Sequence, residues 1–97
     1  MLMLVEFDIS ADIIDVPQEV VADRKSLSVQ FLKWLFSPEV KQRYTVTHNG
    51  HRGLCYRSEA FVDFINEIVL QHSEQKAVIV EQYVSRENKQ RLPAVSF

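Results

Sequence analysis

The chain has 97 residues, of which 46% are hydrophobic and 25% charged, and its formal net charge is −2. This composition is typical of one globular domain, expected over residues 1–97, and no low-complexity tract or internal repeat interrupts it. The single cysteine excludes an internal disulfide, so a core that needs no oxidation and a reducing, cytoplasmic setting are expected.

The N-terminal apolar run does not predict a targeting segment. It ends at Glu6 after five residues, and no basic segment precedes it. A signal peptide is therefore not expected. No segment approaches the ~20 apolar residues of a membrane span, so no membrane partner is expected either.

Residues 2–9 predict a half-buried strand, because apolar side chains alternate between its two faces. Met3, Val5 and Phe7 lie on one face, whereas Leu2 and Leu4 share the other with two carboxylates. The following segment, "SADIIDVPQ", is rich in turn-forming residues and is interpreted as a linker, with Pro17 at a first helical position.

Helical spacing extends from Pro17 to Phe36, with a possible interruption at "ADRKS". Ser37-Pro38 ends this helix and can cap a further short turn over residues 39–42. The next segment, "RYTVTHNGHRGLCYR", predicts a hairpin, because Asn49-Gly50 is a strong signal for a type I′ turn. The expected cross-strand pairs are His48–His51, Val46–Gly53 and Tyr44–Cys55.

Ser58 is expected to cap a second helix with Glu59 in its first turn, and "AVIVEQYV" predicts the last strand. Residues 85–97 are interpreted as a tail that follows a core of about residues 1–84. The order β-α-β-β-α-β predicts an α+β, ferredoxin-like fold, in which two helices cover one face of a four-stranded antiparallel sheet.

The other face of that sheet is expected to be open, and a large exposed apolar patch usually marks a partner or a ligand. The C-terminal "LPAVSF" could instead fold over this face or exchange onto a second subunit. The predicted interaction face comprises Leu4, Glu6, Asp8, Leu54, Tyr56 and Tyr83.

The hairpin region concentrates the residue types that carry chemistry. His48 and His51 can face each other across the turn, but Cys55 lies four residues further, roughly 13 Å along a strand. One zinc ion cannot reach all three side chains, and the same distance argues against a cysteine nucleophile activated by His51. We therefore expect that the protein binds no metal and no cofactor. We interpret the hairpin segment as a turn and not as a reaction centre.

Two weaker alternatives involve anions. Gly50 and Gly53 with Arg52 could contact an anion, which makes Arg52 a candidate anion contact. The segment from Arg52 to Tyr56 also matches part of the octamer found in RNA-recognition modules, which share the predicted topology. Leu54 replaces a stacking aromatic residue there, and carboxylates on the first strand would repel phosphates, so nucleic acid is not the expected partner.

Charge is unevenly distributed along the chain. Residues 1–24 carry −5, residues 25–57 carry +5 and the remainder carries −2. These charges can simply mix on the folded surface, or they can form an acidic and a basic face suited to docking and self-association.

The length, the element order and the opening "MLMLVEFDI" resemble small ferredoxin-like proteins of the muconolactone isomerase kind, which assemble into dimeric α/β barrels. This resemblance implies a homo-oligomer with a small-molecule pocket between sheet and helices, but it carries over no catalytic residue. The alternative function is therefore a cofactor-free isomerase or monooxygenase, with Glu6, Asp8 or a histidine as proton shuttle.

The preferred hypothesis is a small non-enzymatic interaction protein that acts through its exposed sheet face. It would be a homodimer or higher oligomer, or an inhibitor or regulator that docks on another protein. The absence of a convincing catalytic constellation in the sequence favours it over the enzyme.

Overall fold

The computed structural model describes residues 1–7, 10–85 and 91–97, and it has the expected α+β class. A π-helical turn, Ile65–Val69, continues the last α-helix. Within the described ranges, no helix has the length and apolar character needed to cross a bilayer. The strands and α-helices are β1 (Leu2–Glu6), β2 (Ser10–Asp15), α1 (Gln18–Ala22), α2 (Arg24–Leu35), α3 (Pro38–Tyr44), β3 (Thr45–His48), β4 (His51–Leu54), α4 (Ser58–Phe64), β5 (Val78–Ser85) and β6 (Ala94–Ser96).

The four-stranded sheet is mixed and has the order β5-β2-β1-β6. Strand β1 runs antiparallel to β2 and parallel to β6, and β2 runs antiparallel to β5. The expected ferredoxin-like, fully antiparallel sheet is therefore not the arrangement found. The predicted hairpin forms a separate two-stranded sheet, β3–β4, and the supposed linker supplies the central strand β2.

Strand β2 escaped the sequence interpretation because it does not alternate. Its four middle residues, Ala11 to Ile14, are all buried, since both faces of a central strand are covered. Its two aspartates and Ser10 look like turn residues in the sequence, yet Asp12 is completely buried.

The helices pack on one face of the sheet and form the main core there. Met3, Val5 and Ile14 contribute from the sheet, as the alternation of β1 predicted. Phe31 of α2 is fully buried, and its ring lies 5.3 Å from that of Phe61 and 5.0 Å from that of Phe97 between centroids. Burial of such a side chain contributes roughly 1.5–3 kcal/mol. The C-terminal Phe97 therefore helps close the core.

The opposite sheet face carries a second, smaller core, which corrects the prediction of an open face. Leu4, Ala11 and Ile13 are buried there, and partly buried Leu92 and Ala94 pack against them. The "LPAVSF" segment joins this sheet as its edge strand β6, with Leu4 opposite Ala94 in the β1–β6 pairing. The C-terminal residues therefore extend the sheet, and Leu92 and Ala94 cover part of the face that was expected to be open.

The helical and hairpin boundaries mostly follow the sequence. The break between α1 and α2 falls at Asp23, inside the suspected "ADRKS" interruption, and α3 is longer than the short turn expected. Asn49 and Gly50 have positive φ angles of 50° and 79°, as a type I′ turn requires. His48 pairs with His51, and the Cys55 N–H donates to the Tyr44 carbonyl at 2.8 Å, so the predicted register is confirmed.

Asp12 ties β2 to both α4 and β5. Its carboxylate accepts a hydrogen bond from Ser58 Oγ at the start of α4, one from the backbone N–H of Tyr83 at 2.9 Å and one from Arg57 Nη2 at 3.1 Å. Burial opposes ionisation of this carboxyl, but these three donors outweigh burial and hold the pKa of Asp12 below its usual value.

Arg57 is held on both sides. Its guanidinium carbon lies 4.5 Å from the centroid of the Phe7 ring and 4.4 Å from that of the Tyr83 ring. The same Nη2 group also donates to Ser10 Oγ at 3.1 Å. Cation–π contacts with both rings hold the guanidinium beside the Asp12 carboxylate. The ion pair therefore has a defined geometry.

We expect Asp12→Asn to lower the free energy of unfolding by about 3 kcal/mol near neutral pH, because the Arg57 charge loses its partner while it stays largely covered. Urea denaturation monitored by circular dichroism measures this loss. Asp15→Asn is the matched control: its ion pair with the N-terminus is about half-exposed and contributes less than about 1 kcal/mol.

The same substitution should also change the pH dependence. Because the pKa of Asp12 is lowered by folding, its contribution is complete above the unfolded pKa of about 4 and is lost as the pH falls through the folded pKa. The stability difference between wild type and Asp12→Asn should therefore shrink on acidification. A difference that is constant down to acid pH would contradict the assigned role.

Candidate functional site

The predicted interaction face is divided by the fold. Leu4 and Glu6 are only 1% and 7% exposed, because the second core and strand β6 cover that part of the sheet. The prediction that Leu4 and Glu6 are exposed was therefore wrong. Asp8 lies outside the described residues.

The other three predicted residues belong to different surroundings. Leu54 is partly buried at the end of β4, and Tyr56 is partly buried with its ring 6.0 Å from that of Phe31. Tyr83 is 67% exposed, and its ring stacks on Arg57. The structure therefore does not bring the six residues together on one open face.

One row of the same sheet face does stay uncovered. Leu2 of β1 pairs with Asp15 of β2, which pairs with Val78 of β5, and directly opposed residues share a face. Leu2 is 37% exposed and Val78 is 53% exposed, and Val80, two residues further along β5 and without a pairing partner on β2, is 55% exposed. We call Leu2, Val78 and Val80 the sheet-end patch.

The acidic residue within this row, Asp15, has its charge neutralised within the chain. The Met1 ammonium group donates to Asp15 Oδ1 and to the Val16 carbonyl, each at 2.8 Å. The Val16 N–H donates in turn to the Met1 carbonyl at 2.9 Å. The N-terminus is thus fixed beside β2, and the acidic residue in the middle of the row has an opposite charge next to it.

Strand β5 is an edge strand, but it is irregular. Ile14 pairs with Ile79 and Ile13 with Glu81, so β5 carries one extra residue, Val80, at that point. A second irregularity falls near Tyr83, whose φ of 59° is rare for a residue with a side chain. Bulges bend an edge and hinder pairing with a further strand, so β5 is better suited to contact through its face.

A cleft of about 410 Å³ opens between α3 and the β3–β4 hairpin. Thr45, Arg52 and Leu54 line it from one face of the hairpin, on which Thr45 is paired with Leu54. The residues that line it are Phe36, Pro38, Lys41, Gln42, Thr45, Arg52, Gly53 and Leu54.

The α3 wall of this cleft is anchored to α4 by charged groups. Arg43 binds both carboxylate oxygens of Glu67, at 2.9 and 2.7 Å, and this hydrogen bonding lowers the pKa of Glu67. The Tyr44 hydroxyl donates to Asp63 at 2.6 Å, and burial together with this bond raises the pKa of Tyr44. The last turn of α3 is therefore held from the side away from the cleft.

The hairpin tip does not assemble a metal site. His48 and His51 are opposite each other, and Cys55 is exposed beyond the end of β4. Across residues 1–7, 10–85 and 91–97, no three histidine, cysteine or acidic side chains are grouped closely enough to hold an ion. Two imidazoles alone leave a tetrahedral zinc site half empty.

The sequence interpretation missed Val78 and Val80 as surface residues. The apolar character of the last strand was visible in the sequence. The expected four-stranded antiparallel sheet did not include the C-terminal strand, so it could not show which end of the sheet face stays exposed. Lys41 was missed as a partner of Arg52, because the relation of α3 to the hairpin depends on tertiary packing.

No protein-family model, curated protein or solved structure matches this chain. Fold and geometry are therefore the grounds on which its function can be argued.

We expect removal of metal ions with a chelator to leave the thermal midpoint unchanged, because the hairpin offers two opposed imidazoles and no third ligand among the described residues. Differential scanning calorimetry before and after chelation measures this, and His48→Ala should behave like wild type in both conditions. A midpoint that falls on chelation and recovers with Zn²⁺ would contradict the absence of a structural metal.

Proposed function

We propose that this protein is a small non-enzymatic interaction protein that self-associates through the sheet-end patch. The supporting observation is the exposure of Leu2, Val78 and Val80 beside a sheet face whose remaining central residues are buried. Clustered exposed apolar side chains on a sheet favour contact with another surface.

The occupant that fits this patch best is a second copy of the chain. A two-fold interface places the same patch against itself, so a charge near its centre would meet an equal charge. Here the Asp15 carboxylate already has the Met1 ammonium group 2.8 Å away. The charge in the middle of the row is therefore compensated within its own chain, and a two-fold contact centred on Leu2 and Val78 leaves the exposed Glu81 at its rim.

The geometry of β5 favours packing of faces over extension of the sheet. Pairing of two β5 edges would need a regular row of backbone groups, and the irregularities at Val80 and Tyr83 interrupt that row. The patch is also small beside the ~800 Å² per partner of a standard interface. We therefore propose a weak, reversible dimer.

The enzyme alternative has less support. Glu6, one of the proposed proton shuttles, is 7% exposed on the covered sheet face and does not line the cleft between α3 and the hairpin. The resemblance to dimeric α/β-barrel proteins rested on an element order that this structure does not have, so it adds no support to the enzyme. The cytoplasmic setting expected from a single cysteine is compatible with this proposal.

We expect Val80→Lys to shift the protein towards the monomer, because the patch would then place two like charges close together in the dimer. Sedimentation velocity over a range of protein concentrations measures the weight-average mass. Val29→Lys is the matched control, since Val29 is also 55% exposed but lies on α2. Circular dichroism checks that both variants are folded.

Three results would contradict the proposal. The first is a wild-type chain that stays monomeric up to millimolar concentration. The second is a folded Val80→Lys variant that associates as strongly as wild type, and the third is an equal loss of association in Val29→Lys.

A further inference from the structure

The cleft between α3 and the hairpin has features of a ligand site that the self-association proposal does not use. We propose that it binds a small organic anion, in which a phosphate or carboxylate group is attached to a flat apolar body. Its volume of about 410 Å³ lies within the range of small-molecule pockets, ~300–1,000 Å³.

The cleft presents two cations from opposite walls. Lys41 comes from α3 and Arg52 from β4. Among the described residues, no carboxylate lies within 4.0 Å of either group, whereas Arg43 forms an ion pair with Glu67 and Arg57 forms one with Asp12. Arg43 and Arg57 are thus paired within the chain. Lys41 and Arg52 remain available to an external anion.

The apolar part of the cleft lies next to one of these cations. The Phe36 ring is 56% exposed, and Lys41 Nζ lies 5.9 Å from its centroid. Leu54 and Pro38 add apolar surface to the lining. An anion held by Lys41 would therefore place an attached ring against Phe36, and this combination selects organic anions over inorganic ones.

The frame around the cleft is fixed before any ligand arrives. Thr45 Oγ1 donates to the Lys41 carbonyl at 2.7 Å, which secures the junction of α3 and β3. The Lys41 N–H donates to the Ser37 carbonyl at 2.8 Å, and Arg43 is bound to Glu67 on the far side. A largely pre-formed cleft binds with a smaller ordering cost than a mobile one.

A small anion fits this cleft better than nucleic acid does. The cleft is short, and its two cations are not continued by an extended row of free basic and aromatic residues within the part of the chain described. Arg57, the next arginine after Arg52 in the sequence, is occupied by Asp12. Single-strand binding needs a groove that follows several phosphates and successive stacking platforms.

The test uses phenyl phosphate as the probe, with inorganic phosphate and benzyl alcohol for comparison. We expect phenyl phosphate at millimolar concentration to shift the amide resonances of residues 36–54 in ¹H–¹⁵N spectra of the full chain. Inorganic phosphate should bind more weakly and benzyl alcohol more weakly still. Added salt should reduce the affinity for phenyl phosphate, because the contacts are exposed charges.

Arg52→Gln and Lys41→Gln should each weaken phenyl phosphate binding about fivefold, and the double variant should lose saturable binding. Lys25→Gln is the matched control, since it removes one exposed charge at the start of α2, outside the cleft lining. This control should bind phenyl phosphate like wild type.

Several outcomes would overturn the proposal. They are the absence of saturable shifts with phenyl phosphate, equal losses in Lys25→Gln and Arg52→Gln, and equal binding of phenyl phosphate and inorganic phosphate. A single-stranded oligonucleotide that shifts the same amides while phenyl phosphate does not would replace the small anion with nucleic acid. None of these outcomes bears on self-association, whose patch lies on the sheet.

Discussion

A carboxylate buried in the central strand is the constraint on which much of this structure depends. An uncompensated charge at Asp12 would be expensive to bury, so the chain has to bring donors to it. They come from the start of α4 and from β5, through Ser58, Arg57 and the Tyr83 backbone. The group therefore fixes a helix and an edge strand against the middle of the sheet.

That constraint extends to the surface. Tyr83 adopts a positive φ of 59°, a conformation that costs of order 1 kcal/mol or more, and its N–H reaches Asp12 from there. The hydrogen bond to a buried carboxylate offsets this cost. Together with the extra residue at Val80, this irregularity interrupts the outer edge of β5. Addition of a further strand to this edge is therefore hindered, and Val78 and Val80 can make contact through the sheet face.

The sequence predicted features that depend on neighbouring residues. The alternation of β1, the break near Asp23 and the Asn49-Gly50 turn are all found, because each reflects local periodicity or backbone preference. The α+β class followed from the same signals. Strand β2 could not be recognised, since its aspartate is stabilised by residues about 45 and 71 positions away.

The candidate surfaces were only partly predictable for the same reason. Leu4 was placed correctly on the face opposite Met3 and Val5, but a sequence pattern does not show what covers a face. The C-terminal segment covers part of it, and the uncovered row is left at the end where β5 begins. Arg52 as an anion contact stays a prediction; the structure adds that it lines a cleft with Lys41, which depends on the packing of α3 against the hairpin.

The two proposals concern different parts of the chain. Self-association is proposed for the apolar sheet-end patch, and binding of a small anion is proposed for the cationic cleft. The patch and the cleft share no residue. Binding at one can therefore be measured without removing the other.

The central claim is self-association through the sheet-end patch, and ¹H–¹⁵N spectra of the wild-type chain recorded from low to high concentration test it most directly. The account predicts concentration-dependent shifts confined to the first residues of β1, the end of β2 and residues 78–81. Spectra that do not change with concentration, or shifts centred on α2 and the hairpin instead, would contradict it.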